Sequence, residues 1–354
     1  MREANAMAYS SIRPGQLWLD TTGHRIQAHG GSIIERGGTF YWYGENKERT
    51  TPGSGIWHWG IRCYASTDLY NWEDRGLIIP PEPDNPDSPL HPAQKVDRPH
   101  ILYNQATKQY VCWLKIMGEG HTQESTVLVA DALLGPYRLV RTGLRPLGMN
   151  AGDFDLVVHP VDGKAYSYFE RVHSELICAD LTADYTDVTG YYSTHFPRPQ
   201  PPDVREAPAH FTRRGRHYLF TSGTSGYFPN RSEMAVAPTY HGPWTVLGDP
   251  QPGDPTGTSY RSQISSVFRH PAKRDLYIAL ADRWLPEASP ELSARVHDIT
   301  RRVYAGERSA RAELDPAWTD AHTAIADYVW LPVRFDGEMP VLDWHDEWRI
   351  EDYA

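Results

Sequence analysis

Four polar side chains occupy matched places in the sequence, each just before a short apolar run. They are Asp97, Asp153, Glu206 and Gln263, and successive members lie 56, 53 and 57 residues apart. A longer step of 67 residues back from Asp97 reaches Gly30, beside His29. Equivalent positions of a repeat converge when the repeats surround an axis, so we expect these groups to share one cavity. Asp155 is an alternative to Asp153 in this set.

Converging carboxylates can act as a general acid and its ionised partner. They crowd one another, which raises the pKa of at least one. Cleavage of a glycosidic bond needs a protonated carboxyl for the leaving oxygen and a second group for the attacking water. The structural alternative is that each polar side chain only forms hydrogen bonds with nearby backbone groups. Three carboxylates at matched positions favour the functional interpretation.

Metal binding is the rival use of the same side chains. Hard oxygen ligands would suit a calcium ion on the axis. The sequence lacks the dense acidic spacing of a calcium-binding loop. We therefore predict no cofactor and no metal ligands, while a structural calcium ion on the axis stays open.

Arginine, histidine and aromatic residues near these positions are candidates for substrate binding. Arg98 and Arg205 each adjoin a carboxylate, where they could lower its pKa, bind sugar hydroxyls or form a structural ion pair. His29 could bind a central water or ion, or be a buried, hydrogen-bonded side chain. The candidate platforms for the apolar face of a sugar ring are Trp42, Tyr43, Tyr227, Tyr260 and Trp284. Most Trp and Tyr side chains of such a chain nevertheless belong to the core.

An internal repeat supplies the elements that must position these groups. Its units include RPHILYNQATKQYVCWLKI, DLVVHPVDGKAYSYFER, APAHFTRRGRHYLFTSG and SSVFRHPAKRDLYIALADRW. Each is an apolar strand, a polar turn and a second strand, and several are followed by two more strand signals. GSIIERGGTFYWYGE near the N-terminus is the same unit. Five sheets of about 55 residues predict an all-β, five-bladed β-propeller, which the regular spacing favours over a large β-sandwich.

Three stretches depart from the repeat. Residues 289–324 are rich in Ala, Arg, Glu and Leu, and Ser289 before Pro290 is typical of a helix start, so we predict a late helical insertion. The segment QLWLDTTG is a candidate strand closing the ring, and YVWLPVRFDGEMPVLDWHDEW predicts two outer strands of the fifth blade. We expect residues 1–13 to be disordered and residues 14–354 to form a single catalytic propeller domain.

Composition excludes several classes of protein. The chain has 354 residues and a net charge of −10, which argues against a nucleic-acid-binding surface. Its three cysteines are scattered, so neither a zinc ribbon nor a disulfide framework is indicated. No apolar run reaches the ~18 residues of a membrane span. No signal peptide is visible, so we expect a cytoplasmic protein, or a secreted one if a leader has been removed.

Several motifs resemble those of glycoside hydrolase family 43, whose fold is a five-bladed propeller. They are IQAHGGSII, FYWYGENK, DRPHILYN, DFDLVVHPVDGKAY, VREAPAHF and SQISSVF. Within the family they are most similar to the exo-β-1,3-galactanase branch, and the resemblance runs from about Trp18 to Trp348. The most specific piece is REAP followed by HYLFTSGTSGYFPN.

The resemblance implies catalytic roles for three residues. Glu206 matches the general acid, and Asp153 matches the residue that tunes and orients that acid. The usual Asp base is absent at Ala28-His29-Gly30-Gly31, and Gln263 matches the Gln that is thought to hold the water in this branch.

The proton acceptor stays open because a neutral amide is a poor base. Asp97, Asp155 or Glu45 could take the proton. Asp97 also departs from the branch, which usually has Glu before Arg-Pro, so the side chain here is shorter by one methylene group.

We therefore expect an exo-acting, inverting glycoside hydrolase of β-galactosides, especially of β-1,3-galactan oligosaccharides. Its expected partner is an oligosaccharide or polysaccharide substrate, without nucleic acid or membrane. Two alternatives stay open. One is an arabinofuranosidase or xylosidase of the same fold. The other is a non-catalytic carbohydrate-binding propeller, against which the retention of both Glu206 and Asp153 argues.

Overall fold

The repeated units form five antiparallel sheets in the computed structural model, which describes residues 8–118, 122–315, 318 and 320–354. The chain builds each sheet in sequence order, from the innermost strand outwards. The result is the predicted five-bladed propeller with one late α-helix.

The strands of the five blades are as follows. Blade 1 contains β1 (His29–Arg36), β2 (Thr39–Glu45), β3 (Ile61–Ser66) and β4 (Glu73–Ile79). Blade 2 contains β5 (Lys95–Asn104), β6 (Gln109–Met117), β7 (Gln123–Ala130) and β8 (Arg138–Leu144). Blade 3 contains β9 (Ala151–Val158), β10 (Ala165–Arg171), β11 (Glu175–Leu181) and β12 (Val188–His195). Blade 4 contains β13 (Arg205–Arg213), β14 (Arg216–Gly223), β15 (Glu233–Ala237) and β16 (Thr245–Gly248). Blade 5 contains β17 (Gln263–Arg269), β18 (Tyr277–Arg283), β19 (Asp327–Tyr328), β20 (Leu331–Asp336) and β21 (Met339–Leu342).

Apolar contacts between adjacent blades hold the ring together. The inner strands β1, β5, β9, β13 and β17 each contact the next, and β17 contacts β1 to close the circle. A buried apolar cluster lies at each of the five blade interfaces. The clusters use both faces of the central strands, which explains their nearly continuous apolar composition.

The chain ends meet beside blade 5. Ile12 is buried and exchanges two backbone hydrogen bonds with Trp348, at 2.9 and 3.0 Å. Residues 8–13 of the predicted disordered segment therefore pack on the propeller, and residues 1–7 lie outside the described residues. The candidate strand at 16–23 is wrong, because this stretch contains turns and one isolated bridge, Leu19 with Arg25. The two outer strands of blade 5 are confirmed as β20 and β21.

The late helical insertion lies between β18 and β19. Its main element is α1 (Pro290–Tyr304), and the Ser289 side chain caps it by accepting a hydrogen bond from the Leu292 N–H. Two 3-10 helices follow, Arg308–Glu313 and Thr323–Ile325. None of the helices in the described chain has the length and apolar composition needed to cross a membrane.

Candidate active site

The four matched side chains line a single cavity of about 410 Å³. Asp97, Asp153, Glu206 and Gln263 come from the beginnings of β5, β9, β13 and β17, each in a different blade. The convergence predicted from their spacing is therefore confirmed. Glu45, at the end of β2, brings a further carboxyl from blade 1.

A recurring irregularity aims these side chains at the cavity. The register of the inner strand shifts at residues 29–32 in blade 1, 97–100 in blade 2 and 206–209 in blade 4. At each shift one residue has a positive φ: Gly30 at 63°, Arg98 at 54° and Ala207 at 49°. Such bulges re-aim side chains, and strained backbone of this kind collects at functional sites. The bulge also explains how Asp97 and Arg98, although adjacent, both line the cavity.

Glu206 has the properties of a carboxylic acid that stays protonated. Desolvation by the cavity walls raises the pKa of Glu206 well above its usual range, and the negative charges of Asp153 and Glu170 raise it further. The Lys115 and Arg98 cations oppose this shift but are outweighed. Glu206 can therefore carry a proton near neutral pH, as a general acid must.

Gln263 is held between Arg98 and Glu206. Its Oε1 accepts hydrogen bonds from the Arg98 guanidinium at 2.5 Å and from the Trp284 indole at 3.3 Å. Both groups can only donate, so they fix the amide orientation. The Nε2 must therefore face Glu206, and it donates to Glu206 Oε1 at 3.0 Å and to Ser222 Oγ at 2.9 Å. Because Oε1 of Glu206 accepts this bond, the acidic proton is left to Oε2.

Asp153 is the ionised counterpart of Glu206. Burial alone would raise the pKa of Asp153, but the Arg98 and Lys115 cations outweigh it and lower the pKa to about 2. Lys115 Nζ lies 2.6 Å from Asp153 Oδ1, and Arg98 Nη2 lies 3.1 Å from Oδ2. The site thus keeps one carboxyl neutral and its neighbour charged.

Asp97 and Glu45 occupy the blade 1–blade 2 side of the cavity. Asp97 accepts a hydrogen bond from the Trp57 indole at 2.9 Å and lies 3.4 Å from Lys115 Nζ. Glu45 accepts a hydrogen bond from the Arg98 backbone N–H at 2.8 Å and lies 2.9 Å from Lys47 Nζ. Burial raises the pKa of Glu45 to about 8 despite Lys47, so this carboxyl is a poor proton acceptor at neutral pH.

Two of the five aromatic candidates line the cavity. Tyr227 and Trp284 are 5.0 Å apart between ring centroids, and the ring of Tyr227 also stacks on Trp57 at 5.7 Å. Both candidates therefore stay available as platforms for a sugar ring.

The prediction of a sugar platform is wrong for the other three aromatic candidates, because they pack within or beside the blades. Trp42 lies in the core between blades 1 and 5. Tyr43 is buried between blades 1 and 2, where its hydroxyl accepts a hydrogen bond from the Ile101 N–H. Tyr260 donates to the Leu342 carbonyl, outside the residues that line the cavity.

Three further candidates also lie outside the cavity lining. Arg205 donates to the Thr221 hydroxyl and carbonyl within blade 4, because alternation in a strand turns it away from the side of Glu206. Asp155 binds His100 Nε2 at 2.9 Å and accepts the His210 N–H at 2.6 Å, which leaves Asp153 as the cavity carboxylate of blade 3.

His29 is the third of these and has a structural environment. Its Nδ1 lies 3.0 Å from Asp282 Oδ1, and its Nε2 lies 3.2 Å from the Tyr328 hydroxyl. Burial lowers the pKa of His29 although Asp282 opposes the shift. The imidazole is therefore fixed between two side chains instead of facing the cavity.

Sequence reasoning missed the partners that the second strand of each blade contributes. The register pairs Asp97 with Lys115, Glu206 with Ser222, and Gln263 with Asp282. The sequence contains a signal for these partners, because each is a polar residue at or next to the end of the second apolar run of its repeat unit. Glu170 closes the second strand of blade 3 in the same manner and also lines the cavity.

Three of the cavity carboxylates, Glu45, Asp97 and Asp153, contact Lys or Arg side chains. Among the residues that the structure describes, no group of three or more His, Cys, Asp or Glu side chains is placed to hold a metal ion. Asp153 contacts Arg98 and Lys115, and Asp97 contacts Lys115. The prediction of no cofactor stays untested, and a structural calcium ion on the axis stays open.

Comparison with protein families gives one match over most of the chain. The model described as "Glycosyl hydrolases family 43" matches residues 26–303. The comparison with curated proteins gives no match.

Solved structures similar to this chain cover nearly all of it. A β-1,3-galactosidase of family GH43, BT0265, has 27% identity and a TM-score of 0.78, over 97% of this chain and 64% of its own. A second one, BT3683 with galactodeoxynojirimycin, has 27% identity and a TM-score of 0.76, over 96% of this chain and 100% of its own. The exo-β-1,3-galactanase 1,3Gal43A from Clostridium thermocellum has 26% identity and a TM-score of 0.73, over 95% of this chain and 66% of its own. This chain thus spans slightly less than two thirds of the length of BT0265.

Proposed function

The chain belongs to glycosyl hydrolase family 43, and we propose that it is an exo-acting, inverting hydrolase of β-galactosides, with β-1,3-galactan oligosaccharides among its substrates. The observation that carries the proposal is the pair formed by Glu206, whose pKa is raised, and Asp153, whose pKa is lowered to about 2, in one cavity. The galactosidases and the galactanase to which the chain is similar support the choice of sugar.

Glu206 acts as the general acid in this proposal. The amide of Gln263 occupies Oε1, so Oε2 gives its proton to the glycosidic oxygen as the bond to the anomeric carbon breaks. Asp153 stays ionised throughout and keeps the pKa of Glu206 high until the proton leaves. Lys115 and Arg98 hold Asp153 in place from two sides.

Attack by water needs a group to orient it and a group to accept its proton. The resemblance assigns the positioning role to Gln263, whose Nε2 donates to Glu206 and Ser222 in this structure and would exchange one of these hydrogen bonds for one to the water. Of the three carboxylates considered as the base, Asp155 lies outside the cavity lining and Glu45 has a pKa of about 8. Asp97 is the remaining candidate to receive the proton.

The test is a comparison of β-galactosides, α-arabinofuranosides and β-xylosides as substrates, followed by NMR of the first product. We expect hydrolysis of β-galactosides, including galactosyl-β-1,3-galactose, with α-galactose appearing first because of inversion. Glu206→Gln is the matched control and should abolish most of the turnover. Preferred cleavage of a pentoside would favour the arabinofuranosidase or xylosidase alternative. Sugar binding without turnover would favour the binding propeller.

A further inference from the structure

The helical insertion of blade 5 forms one wall of the cavity. Val296, Thr300 and Tyr304 follow one another at intervals of four residues along α1, which puts them on one face of the helix. All three line the cavity, and so do Leu314 and Trp318 from the segment after α1. The insertion is therefore part of the site and not a peripheral addition.

Contacts with blade 4 and with the segment before it hold the insertion in place. Val296 packs with Phe228 and Ala288 in a small apolar cluster, and the ring of Phe228 meets that of Trp318 edge to face at 6.2 Å. The Gln200 amide donates to the carbonyl of Arg301 at 3.3 Å.

Tyr304 extends the wall to blade 3. Its ring meets His173 edge to face at 6.0 Å, and His173 lies 2.7 Å from Glu170. Desolvation raises the pKa of Tyr304, and the charges of Glu170 and Glu206 contribute to the shift. The contact with His173 puts the tyrosine on the blade 3 side of the cavity, and the insertion also packs on Phe228 of blade 4, the blade that carries Glu206.

The cavity has a polar and an apolar side. The inner strands supply charged and amide groups, whereas the insertion supplies Val296, Leu314, Trp318 and the ring of Tyr304. Among the described lining residues of the insertion, only Thr300 and Tyr304 carry hydroxyl groups. A galactosyl ring needs the polar side for its hydroxyls. The leaving group lies next to the acid, so it would contact the apolar wall that the insertion forms.

We propose that this wall is a binding site for an apolar aglycone, so that the enzyme also cleaves alkyl β-galactosides with chains of about eight carbons. The proposal rests on the proposed function, because it assigns the leaving-group side of the same cavity. It adds a substrate class to the galactan oligosaccharides. Burial of methylene groups against Tyr304 and Leu314 is the source of the added affinity.

The experiment compares kcat/KM for octyl and methyl β-galactoside below the micelle concentration. The two alcohols have nearly the same pKa, so the ratio reports binding of the chain and not leaving-group chemistry. Each buried methylene is worth ~0.8 kcal/mol, and partial burial of the chain predicts an octyl preference of about 20-fold or more. Tyr304→Ala and Leu314→Asn should each reduce that preference by about fivefold.

Tyr192→Ala is the matched control. Tyr192 is 44% exposed and Tyr304 is 40% exposed, but Tyr192 lies on β12 and does not line the cavity. This variant should keep the full octyl preference. Tyr304 is the last residue of α1, so its replacement leaves the helix interior intact. Leu314→Asn serves as the second, independent probe of the wall.

Each outcome bears on one of the two proposals. The aglycone site is overturned if the octyl-to-methyl ratio of kcat/KM is near one in the wild type, or if neither variant lowers it. Hydrolysis of methyl β-galactoside would still support the proposed function in that case. Failure to hydrolyse any β-galactoside contradicts the proposed function instead. In that case the aglycone site is tested by calorimetry with octyl and methyl β-thiogalactosides, which are not cleaved. The ratio of their affinities, measured for the wild type and the same variants, then replaces the ratio of kcat/KM values.

Discussion

The acid and its ionised neighbour differ because different groups surround them. Glu206 contacts an amide and faces other carboxylates, whereas Asp153 contacts two cations. Two carboxyl groups in one cavity therefore have pKa values displaced in opposite directions. Pairs of this kind mark acid and base roles in hydrolases.

Replacing the charges around Glu206 should move the alkaline limb of the pH–rate profile. A general acid works only when it is protonated, so if Glu206 has this role, kcat/KM should fall as the pH rises through the pKa of Glu206. Asp153→Asn removes an anion that raises this pKa and frees Arg98 and Lys115 to lower it, so the limb should move down by about one pH unit. Lys115→Met removes an opposing cation and should move the limb up. Shifts of both variants in the same direction would contradict the assignment.

Gln263 can be tested by separating turnover from binding. Gln263→Ala removes the amide between Arg98 and Glu206, which is the group proposed to position the water. We expect kcat to fall by about 100-fold while the affinity for galactose changes much less, because the interaction matters mainly in the transition state. Parallel kinetics and calorimetry on this variant are the measurement. Unchanged turnover would remove Gln263 from the mechanism.

At the scale of single elements, bulges in the inner strands make the site possible. Gly30 illustrates the constraint, because its φ is 63° and its N–H donates to Asp282 Oδ2 at 3.0 Å. A Cβ at this position would lie 2.5 Å from Glu45 Oε1. The bulge of blade 1 therefore needs glycine for both backbone conformation and space.

Gly30→Ala and Gly37→Ala separate these two needs. Gly37 has a φ of 61° and no heavy atom within 4 Å of a Cβ, so Gly37→Ala should cost only the backbone strain of ~1–2 kcal/mol. Gly30→Ala adds the contact with Glu45 and should lower the free energy of unfolding by about a further 1 kcal/mol or more. Urea denaturation measures both. Equal losses would show that Glu45 moves without cost.

The elements themselves could largely be predicted from the sequence, whereas the direction of individual side chains could not. The starts of the inner strands repeat, so the sequence predicts Asp97, Glu206, Gln263 and either Asp153 or Asp155 at these positions. Arg98 and Arg205 looked equivalent, but a positive φ turns Arg98 into the cavity while alternation turns Arg205 away. Bulges of this kind leave no distinct sequence signal at non-glycine positions.

At the scale of the whole molecule, the cavity exists because five blades close into a ring. Charged groups of blades 1, 2 and 3 line the cavity together with Glu206 of blade 4 and Gln263 of blade 5, and the insertion contributes a further wall. That residues so far apart in the sequence meet in one cavity could be inferred from the residues only because the units repeat. The insertion has no counterpart in the other repeats, so its position over the cavity could not be inferred.

The central claim is that this convergence makes Glu206 the general acid, and its most direct test is Glu206→Gln assayed with two leaving groups. Galactosyl-β-1,3-galactose needs protonation of its leaving oxygen, whereas 2,4-dinitrophenyl β-galactoside hardly does. We predict a loss in kcat of about 100-fold or more for the disaccharide, with most of the turnover kept for the dinitrophenyl galactoside. Equal losses for the two substrates would contradict the account, because the proton would then come from another group.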